Sequence, residues 1–489
     1  MKNRLRGFLA AGGIVALTAC AGEKASVLGN WQGFVELPPG RARVELEIAP
    51  DSAGGLAGVF HLQDFGSSNV PTVTFSIENG QVRAATESGA RFEGTFSDAG
   101  DRLEGSFTLR DSAMAITLRQ NHPDFTVYDT PRLDDRGNRV TRYDYRAPPA
   151  DAAGWRSSTL SAEGVDDVRI DSLIERILAG DHGRVESFLL AKNGKLVLEE
   201  YFHGHERGKI HMLQSISKSV TSLLVGIARD QGRIKSVQDP VYAYFPDYAG
   251  HRWVDQRYDL TLWHLLTMSG AIDWSEQAPA GTKENSNTAM NWSPSWLGYV
   301  LDRERGGTPG KVASYTSGFS ILLGGVLKHA TGQYVDQFAE QTLFKDLGIA
   351  PYLWSAHRDG TRHTGGGLSL RPIDLAKIGQ LVLDRGVWNG KRVVSADWIE
   401  ESVKPHLPVA FGPKNSMHYG YQWWRDEYQV DGTTVKVIAG NGYGGQYLAI
   451  IPSLNAVIVL TAGEYMRSSL RKFDHSAVTG MGILPALLR

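Results

Sequence analysis

The chain is poor in cysteine: Cys20 is the only one in 489 residues. That excludes an intrachain disulfide framework and a cysteine-based metal site. Neither sign of charge is in excess. The 51 Lys and Arg against 53 Asp and Glu leave a formal net charge of −2, and no basic footprint argues for nucleic acid. Motifs are missing as well. There is no G-x-S-x-G, no H-E-x-x-H and no P-loop, which disfavours a nucleophile elbow, a helix-borne zinc protease centre and a nucleotide-phosphate cradle. The 14 histidines show no metal-ligand spacing, and internal repeats are not apparent. Beyond the N-terminal segment no stretch is long and apolar enough to span a bilayer. What is present is ordinary globular composition, 42% hydrophobic and 21% charged, at a length suited to two or three domains.

The lone cysteine sits in a telling place. Lys2, Arg4 and Arg6 make a basic start, an apolar run from Phe8 to Leu17 follows, and then comes Leu17-Thr18-Ala19-Cys20. The run is a secretory signal, too short for a spanning helix. Its last four residues resemble a bacterial lipobox, in which Cys20 would be acylated and anchor the chain to a membrane. Ala21 stands after it instead of Asp. By resemblance to bacterial sorting signals, this implies the cell envelope, at the outer membrane facing the periplasm.

Ser215-Ile216-Ser217-Lys218 is the most informative stretch. Residues i and i+3 share a helix face, so a hydroxyl and an amine can enter one pocket. A serine alcohol is a weak nucleophile until a neighbouring base takes its proton, and a lysine kept neutral by burial or nearby positive charge can be that base. Ser469-Leu470-Arg471-Lys472 fits the same S-x-x-K pattern. Context favours Ser215: Ile216, Val220, Leu223, Leu224 and Ile227 recur at helical spacing, and Gly232 marks a stop. The bland alternative is an ordinary helix-start serine.

Two further elements follow. Tyr315-Thr316-Ser317 precedes a helical run, Ile321 to Leu327; a phenol at a loop-to-helix junction can relay a proton if cations lower its pKa, and Ser317 adds a hydroxyl. Gly440-Asn441-Gly442-Tyr443-Gly444-Gly445-Gln446 matches G-x-G-x-x-G, but a strand and not a helix follows, so a dinucleotide site is rejected. It reads as a tight entry into a strand whose backbone N–H, with that of Ser215, would form an oxyanion hole. A plain glycine turn is the alternative. His363-Thr364-Gly365 superficially resembles this element but leads to a helix, Pro372 to Leu383, and is expected on a cleft-flanking loop.

The organisation reads in parts. Residues 1–20 are the signal. Over 24–118, Val44 to Ile48, Val73 to Ile77 and Phe92 to Phe96 alternate with period two between turn signals such as Asn79-Gly80, which predicts a small antiparallel barrel or sandwich. Residues 119–165, rich in Asp, Arg, Pro and Tyr, read as a connector. Residues 166–489 begin with a helix, Ile170 to Leu178, and a hairpin turned at Asn193-Gly194. A helix-rich middle spans about 260–399, strands return at 435–438, 446–451 and 456–460, and mixed helix fills 468–488. Both ends would build one antiparallel sheet, with a helical lobe across a cleft. Trp274, Trp292, Trp296, Trp354 and Trp424 are candidate cleft aromatics.

The three elements in this order resemble the serine β-lactamase and penicillin-binding-protein superfamily, in its class C-like branch. Gln214 to Ser219, Leu265-Leu266-Thr267-Met268-Ser269-Gly270, Gly365 to Leu368 and Tyr419-Gly420-Tyr421-Gln422-Trp423-Trp424 are most similar to the 6-aminohexanoate-dimer hydrolase and esterase group. The resemblance implies an α/β (α+β) β-lactamase-like fold from about Asp166 onward and no cofactor or metal. It implies Ser215 as the acylated nucleophile, with Lys218 and Tyr315 sharing general base and acid work in an order left open. Ser317 stands where many relatives carry an amide-orienting asparagine. Gly442-Tyr443-Gly444 stands where β-lactamases carry Lys-Thr-Gly, and the oxyanion N–H would belong to Gly445, or to Gln446 one residue on. The missing lysine marks down penicillins and peptide carboxylates as substrates. The expected partner is a small ester or amide. A β-lactamase, a peptidoglycan DD-peptidase and a non-catalytic binding lipoprotein are the alternatives.

Overall fold

In the computed structural model, residues 27–37, 40–51, 54–62, 67–87, 89–109, 112–120, 122, 130–150, 152–278, 282–410, 416–464 and 473–488 are described. The signal segment with Cys20, and Ser469 to Lys472, lie outside them.

The N-terminal strands are β1 (Gly29–Leu37), β2 (Gly40–Pro50), β3 (Leu56–Leu62), β4 (Ser67–Glu78), β5 (Gln81–Thr86), β6 (Arg91–Phe96), β7 (Arg102–Leu109) and β8 (Ser112–Gln120). Each pairs antiparallel with the next, and β1 pairs with β8, so the meander closes. Of the two expected forms, barrel or sandwich, the barrel is the one found. Alternation drives it: Val44, Leu46 and Ile48 on β2 point inward with Trp31, Phe60, Phe92 and Phe107 into an apolar interior. Gly94 and Gly105 face each other across β6 and β7. A Cβ on Gly105 would lie 2.1 Å from the Glu93 carbonyl oxygen, so only glycine allows the backbones to approach so closely there.

The outward face of the barrel is unusual on one side. Gln32, Glu45 and His61 occupy one cross-strand row and are almost fully buried, as is Arg43. The Arg43 guanidinium lies 3.8 Å from Glu186 of the second unit. That polar face is therefore the one docked on the rest of the chain.

The second unit is built on a nine-stranded sheet. Its strands are β9 (Arg156–Ser157), β10 (Val185–Lys192), β11 (Lys195–Tyr201), β12 (Leu407–Pro408), β13 (Ser416–Tyr419), β14 (Trp424–Val430), β15 (Thr433–Gly442), β16 (Gln446–Ile451) and β17 (Ala456–Ala462), in the order β12-β13-β14-β15-β16-β17-β10-β11-β9. The chain's two ends do share it, through β10 on β17. Two features correct the expectation. Short β9 pairs parallel with β11, so the sheet is mixed, and β9 comes from the segment read as connector. The expected hairpin forms, with Asn193 and Gly194 at positive φ as its tight turn requires.

Helices α1 (Asp167–Ala179), α2 (Ile216–Asp230), α3 (Ser317–Thr331) and α4 (Pro372–Leu383) cover the sheet or form the lobe across from it. α1 is amphipathic and capped by Asp166, whose side chain accepts from Arg169 N–H. α2 is buried on every side from Ile216 to Ala228, as befits a helix between two lobes. One residue ties the lobes together. Gln422 accepts from Ser320 Oγ on α3 at 2.5 Å, donates to the Leu265 and Leu266 carbonyls, and offers its own carbonyl to Ser219 of α2.

Candidate active site

The backbone enters α2 through Gln214 at φ 50°, a left-handed conformation that non-glycine residues seldom hold without support. The support is Ser217, whose Oγ donates to the Gln214 carbonyl at 2.7 Å and accepts from Leu368 N–H at 3.1 Å. Ser215 stands at the helix start, yet its hydroxyl caps nothing. It faces Lys218 instead, with Nζ 2.9 Å from Oγ. Its own N–H has no backbone partner outside the regular elements among the described residues.

Lys218 is 1% exposed, and its Nζ also donates to the Gly365 carbonyl at 2.5 Å. Burial drives its pKa down to about 8, against an opposing pull from Glu276. A neutral amine has two N–H donors and one lone pair. With one N–H spent on Gly365, the lone pair is available to the Ser215 hydroxyl. The glycine loop expected to flank the cleft thus supplies the anchor for the amine. It also leads into a short strand, Leu368–Leu370, before α4 begins.

Tyr315 shares a hydrogen bond with Ser215, and its ring centroid lies 4.8 Å from Lys218 Nζ. Trp424 stacks on it at 5.3 Å and Tyr419 meets it edge-on. The condition that cations lower its pKa is not met. Burial first, and then the charge of Glu276, push the phenol well above its ordinary value, which the bond with Ser215 only partly counters. Tyr315 therefore keeps its proton and is an O–H donor at neutral pH.

Ser317 opens α3 close by, but its hydroxyl is committed. Oγ donates to Glu276 Oε2 at 3.1 Å, and its N–H donates to Glu276 Oε1 at 2.7 Å. The Trp274 indole donates to the same Oε1 at 2.7 Å. Glu276 was missed from the sequence: it belongs to no motif, and no spacing links it to Ser317 forty-one residues later.

The glycine-rich element forms a tight hairpin that leads into β16, as the sequence predicts, and pairs Gly442 with Gln446. A Cβ on Gly440 would lie 3.2 Å from Ile216 and 3.6 Å from Ser219, and one on Gly442 only 2.4 Å from the Leu213 carbonyl. These two glycines of β15 are the ones that pass against the start of α2. Gly444 and Gly445 form the turn beyond, at φ 84° and 95°. The Gly445 N–H bonds to the Gly442 carbonyl at 3.3 Å, and Tyr443 sits half-exposed at the tip. The Gln446 side chain is fully buried, donating to the Ala462 carbonyl at 2.7 Å and accepting from its N–H. The backbone of Gly440 and Gly442 thus packs against the start of α2, and Gly444, Gly445 and Gln446 build the hairpin beyond it. Of the aromatics, Trp274 and Trp424 join the site. Trp296 packs on His363, whose carbonyl accepts from Trp354.

One cluster outside the cleft has the side chains of a metal site. Ligand atoms of Glu186, His205 and His211 lie within 4.8 Å of one another. The carboxylate is already engaged: Arg184 Nε donates to Oε1 at 2.8 Å, Arg43 lies at 3.8 Å, and His211 Nε2 is 2.6 Å from Oε2. A dication would meet two guanidiniums there, so the arrangement fits a buried ion-pair network better than a metal centre.

Comparison with known proteins places this geometry. A family model described as Beta-lactamase matches residues 170–471. The 6-aminohexanoate-dimer hydrolase of Paenarthrobacter ureafaciens is 30% identical over 345 residues, covering 64% of this chain and 81% of that one. A solved structure described as a "Putative 6-aminohexanoate-dimer hydrolase from Bacillus anthracis" superposes with a TM-score of 0.54 at 22% identity, over 64% of this chain and 81% of the other. A D-stereospecific amidohydrolase from Streptomyces sp. gives a TM-score of 0.50 at 16% identity, over 67% and 99%. The last two likenesses bear on the fold alone. The barrel lies outside the family match.

Proposed function

The chain belongs to the Beta-lactamase family, and from that premise we propose that it cleaves an ester or a linear amide through an acyl intermediate on Ser215. The observation that carries the reading is Lys218 Nζ at 2.9 Å from Ser215 Oγ, buried and anchored on Gly365. Ser215 gives its proton to Lys218 as Oγ attacks the carbonyl. The oxyanion is held by the free Ser215 N–H and by strand backbone between Gly440 and Gly442. Lys218 then returns the proton to the leaving group, directly or through the phenol of Tyr315, and water releases the acyl group by the reverse route.

Substrate class follows from charge. Val437-Ile438-Ala439, just before Gly440, carries no cation, nor does Gly442-Tyr443-Gly444, and exposed Lys436 lies on the opposite face of β15 from Val437. A penicillin carboxylate would find no partner from this strand, which favours esters and linear amides over lactams. The linear-amide part of the reading is supported by the 6-aminohexanoate-dimer hydrolase, whose name describes such a cleavage.

The test is p-nitrophenyl butyrate turnover by wild type and Ser215→Ala, with nitrocefin and a fluorescent penicillin run alongside. Loss of turnover by roughly 10³-fold or more in the variant, with both lactams inert, is the expected result. Undiminished hydrolysis by Ser215→Ala would refute the reading. We also propose a lipid anchor on Cys20 and an envelope location, supported by the basic start, the apolar run and Leu17-Thr18-Ala19-Cys20. Cys20→Ala should move the protein from the membrane fraction to the soluble one. No helix among the described residues is long and apolar enough to cross a membrane.

A further inference from the structure

Glu276 is held in a way that a plain surface carboxylate is not. Three donors converge on it: Ser317 N–H, Ser317 Oγ and the Trp274 indole. Ser317 is the first residue of α3, a 15-residue helix whose N-cap, Thr316, makes no side-chain capping bond. Glu276 therefore serves as a cap delivered from a distant loop, an anion at the positive end of a helix dipole. No lysine or arginine among the described residues forms an ion pair with it, so its charge is not cancelled locally.

α3 begins two residues after Tyr315. The groups around Lys218 are Ser215 on its own helix, the Tyr315 phenol with Tyr419 and Trp424 behind it, and the Gly365 carbonyl from the glycine loop. None of these brings a full charge. Among the described residues, Glu276 is the charged group whose field acts on Lys218, and it acts on Tyr315 as well.

We infer that Glu276 is a positioning residue for the acyl-transfer reaction, whose negative charge keeps Lys218 able to hold the proton it takes from Ser215 and hand it to the leaving group. The inference rests on the reading of Ser215 and Lys218 given above. Its physical basis is a balance. Burial alone would leave Lys218 a feeble base, and a proton carrier works best when its pKa lies near the working pH. Glu276 offsets part of the desolvation and leaves the amine close to that range.

The experiment is the pH dependence of kcat/KM on p-nitrophenyl butyrate for wild type, Glu276→Gln and Ser317→Ala, with a thermal melt of each. Glutamine keeps an oxygen for the Ser317 and Trp274 donors but loses the charge. The acid limb should move to lower pH by roughly 0.5–1 unit in Glu276→Gln and stay in place in Ser317→Ala, which keeps the charge. If Glu276 is a helix cap only, Glu276→Gln will keep the wild-type profile and show at most a lower melting temperature, and the inference falls. Should Glu276→Gln not fold, Glu276→Ser is read in the same way, since it too removes the charge. Its acid limb must then move to lower pH, and an unmoved limb overturns the proposal equally. Fluorophosphonate labelling separates the two levels of failure. A wild-type Ser215 that does not label removes the serine-hydrolase reading, whereas one that labels with the same pH dependence in wild type and Glu276→Gln removes only the role of Glu276.

Discussion

A serine and a lysine three apart occur in many helices; what distinguishes Ser215 and Lys218 is where the second donor of the amine goes. The Gly365 carbonyl orients Nζ, and burial brings its pKa down to about 8. The sign of the pH dependence follows. The amine must be unprotonated to accept from Ser215, so kcat/KM should rise with pH through an acid limb near 8, with about a tenth of the enzyme competent at pH 7. A plateau reached already at pH 6 would mean that another group is the base. Tyr315 does not replace it, because its phenol is pushed up and keeps its proton throughout this range. The pair was legible because residues one helical turn apart are neighbours whatever the rest of the chain does. Glu276 and Gly365 were not, because each reaches the site from a separate loop.

At the scale of elements, the site depends on how closely β15 approaches the entry to α2. Gly442 permits that approach, since a Cβ there would collide with the Leu213 carbonyl, which is backbone and has no room to yield. Gly442→Ala should therefore push the strand away from Ser215. We expect a stability loss of about 1–3 kcal/mol in urea titration but a disproportionate fall in turnover, on the order of 10²-fold for a misplaced oxyanion donor. Equal activity per folded molecule would show that β15 does not contribute to the reacting geometry. The glycine cluster could be seen in the sequence, but its register could not. A run holding Gly440, Gly442, Gly444 and Gly445 allows more than one placement of the turn, and only the pairing of Gly442 with Gln446 fixes it.

For the whole molecule, the point of note is the buried network where the barrel meets the second unit. Burial, outweighing the attraction of Glu186, holds His205 down to about 3, so the folded protein keeps that imidazole neutral. Burial opposes ionisation of Glu186, but His205, His211 and Arg184 more than offset it and hold the carboxyl well below its usual range. Both shifts act in one direction. The unfolded chain takes up a proton on the histidine below about pH 6.5, and on the carboxylate below about 4.5, that the folded chain refuses. Their stabilisation is complete above those values and is lost as pH falls. Unfolding free energy should drop from pH 6.5 downward with a slope of up to about 1.4 kcal/mol per pH unit for each group. His205→Gln should flatten the part between pH 6.5 and 5; an unchanged slope would show that His205 does not titrate on unfolding. The same network joins Arg43 of β2 to β10 and to His211, four residues before Ser215. The barrel is thus coupled to the segment that delivers Ser215.

The sequence by itself determined what neighbouring residues can encode. The period-two strands of the barrel, the amphipathic helix α1, the Asn193-Gly194 turn and the Ser215–Lys218 face are all local, and each follows from side chains a few positions apart. The tertiary structure alone decided whether the eight strands closed, that β9 joined the sheet in parallel, and which glycines lie against α2. It also brought Gly365 to Lys218 and Glu276 to Ser317. Those contacts span 147 residues from Lys218 and 41 from Ser317. They arise from packing of the whole core, and no short-range pattern in the chain records them.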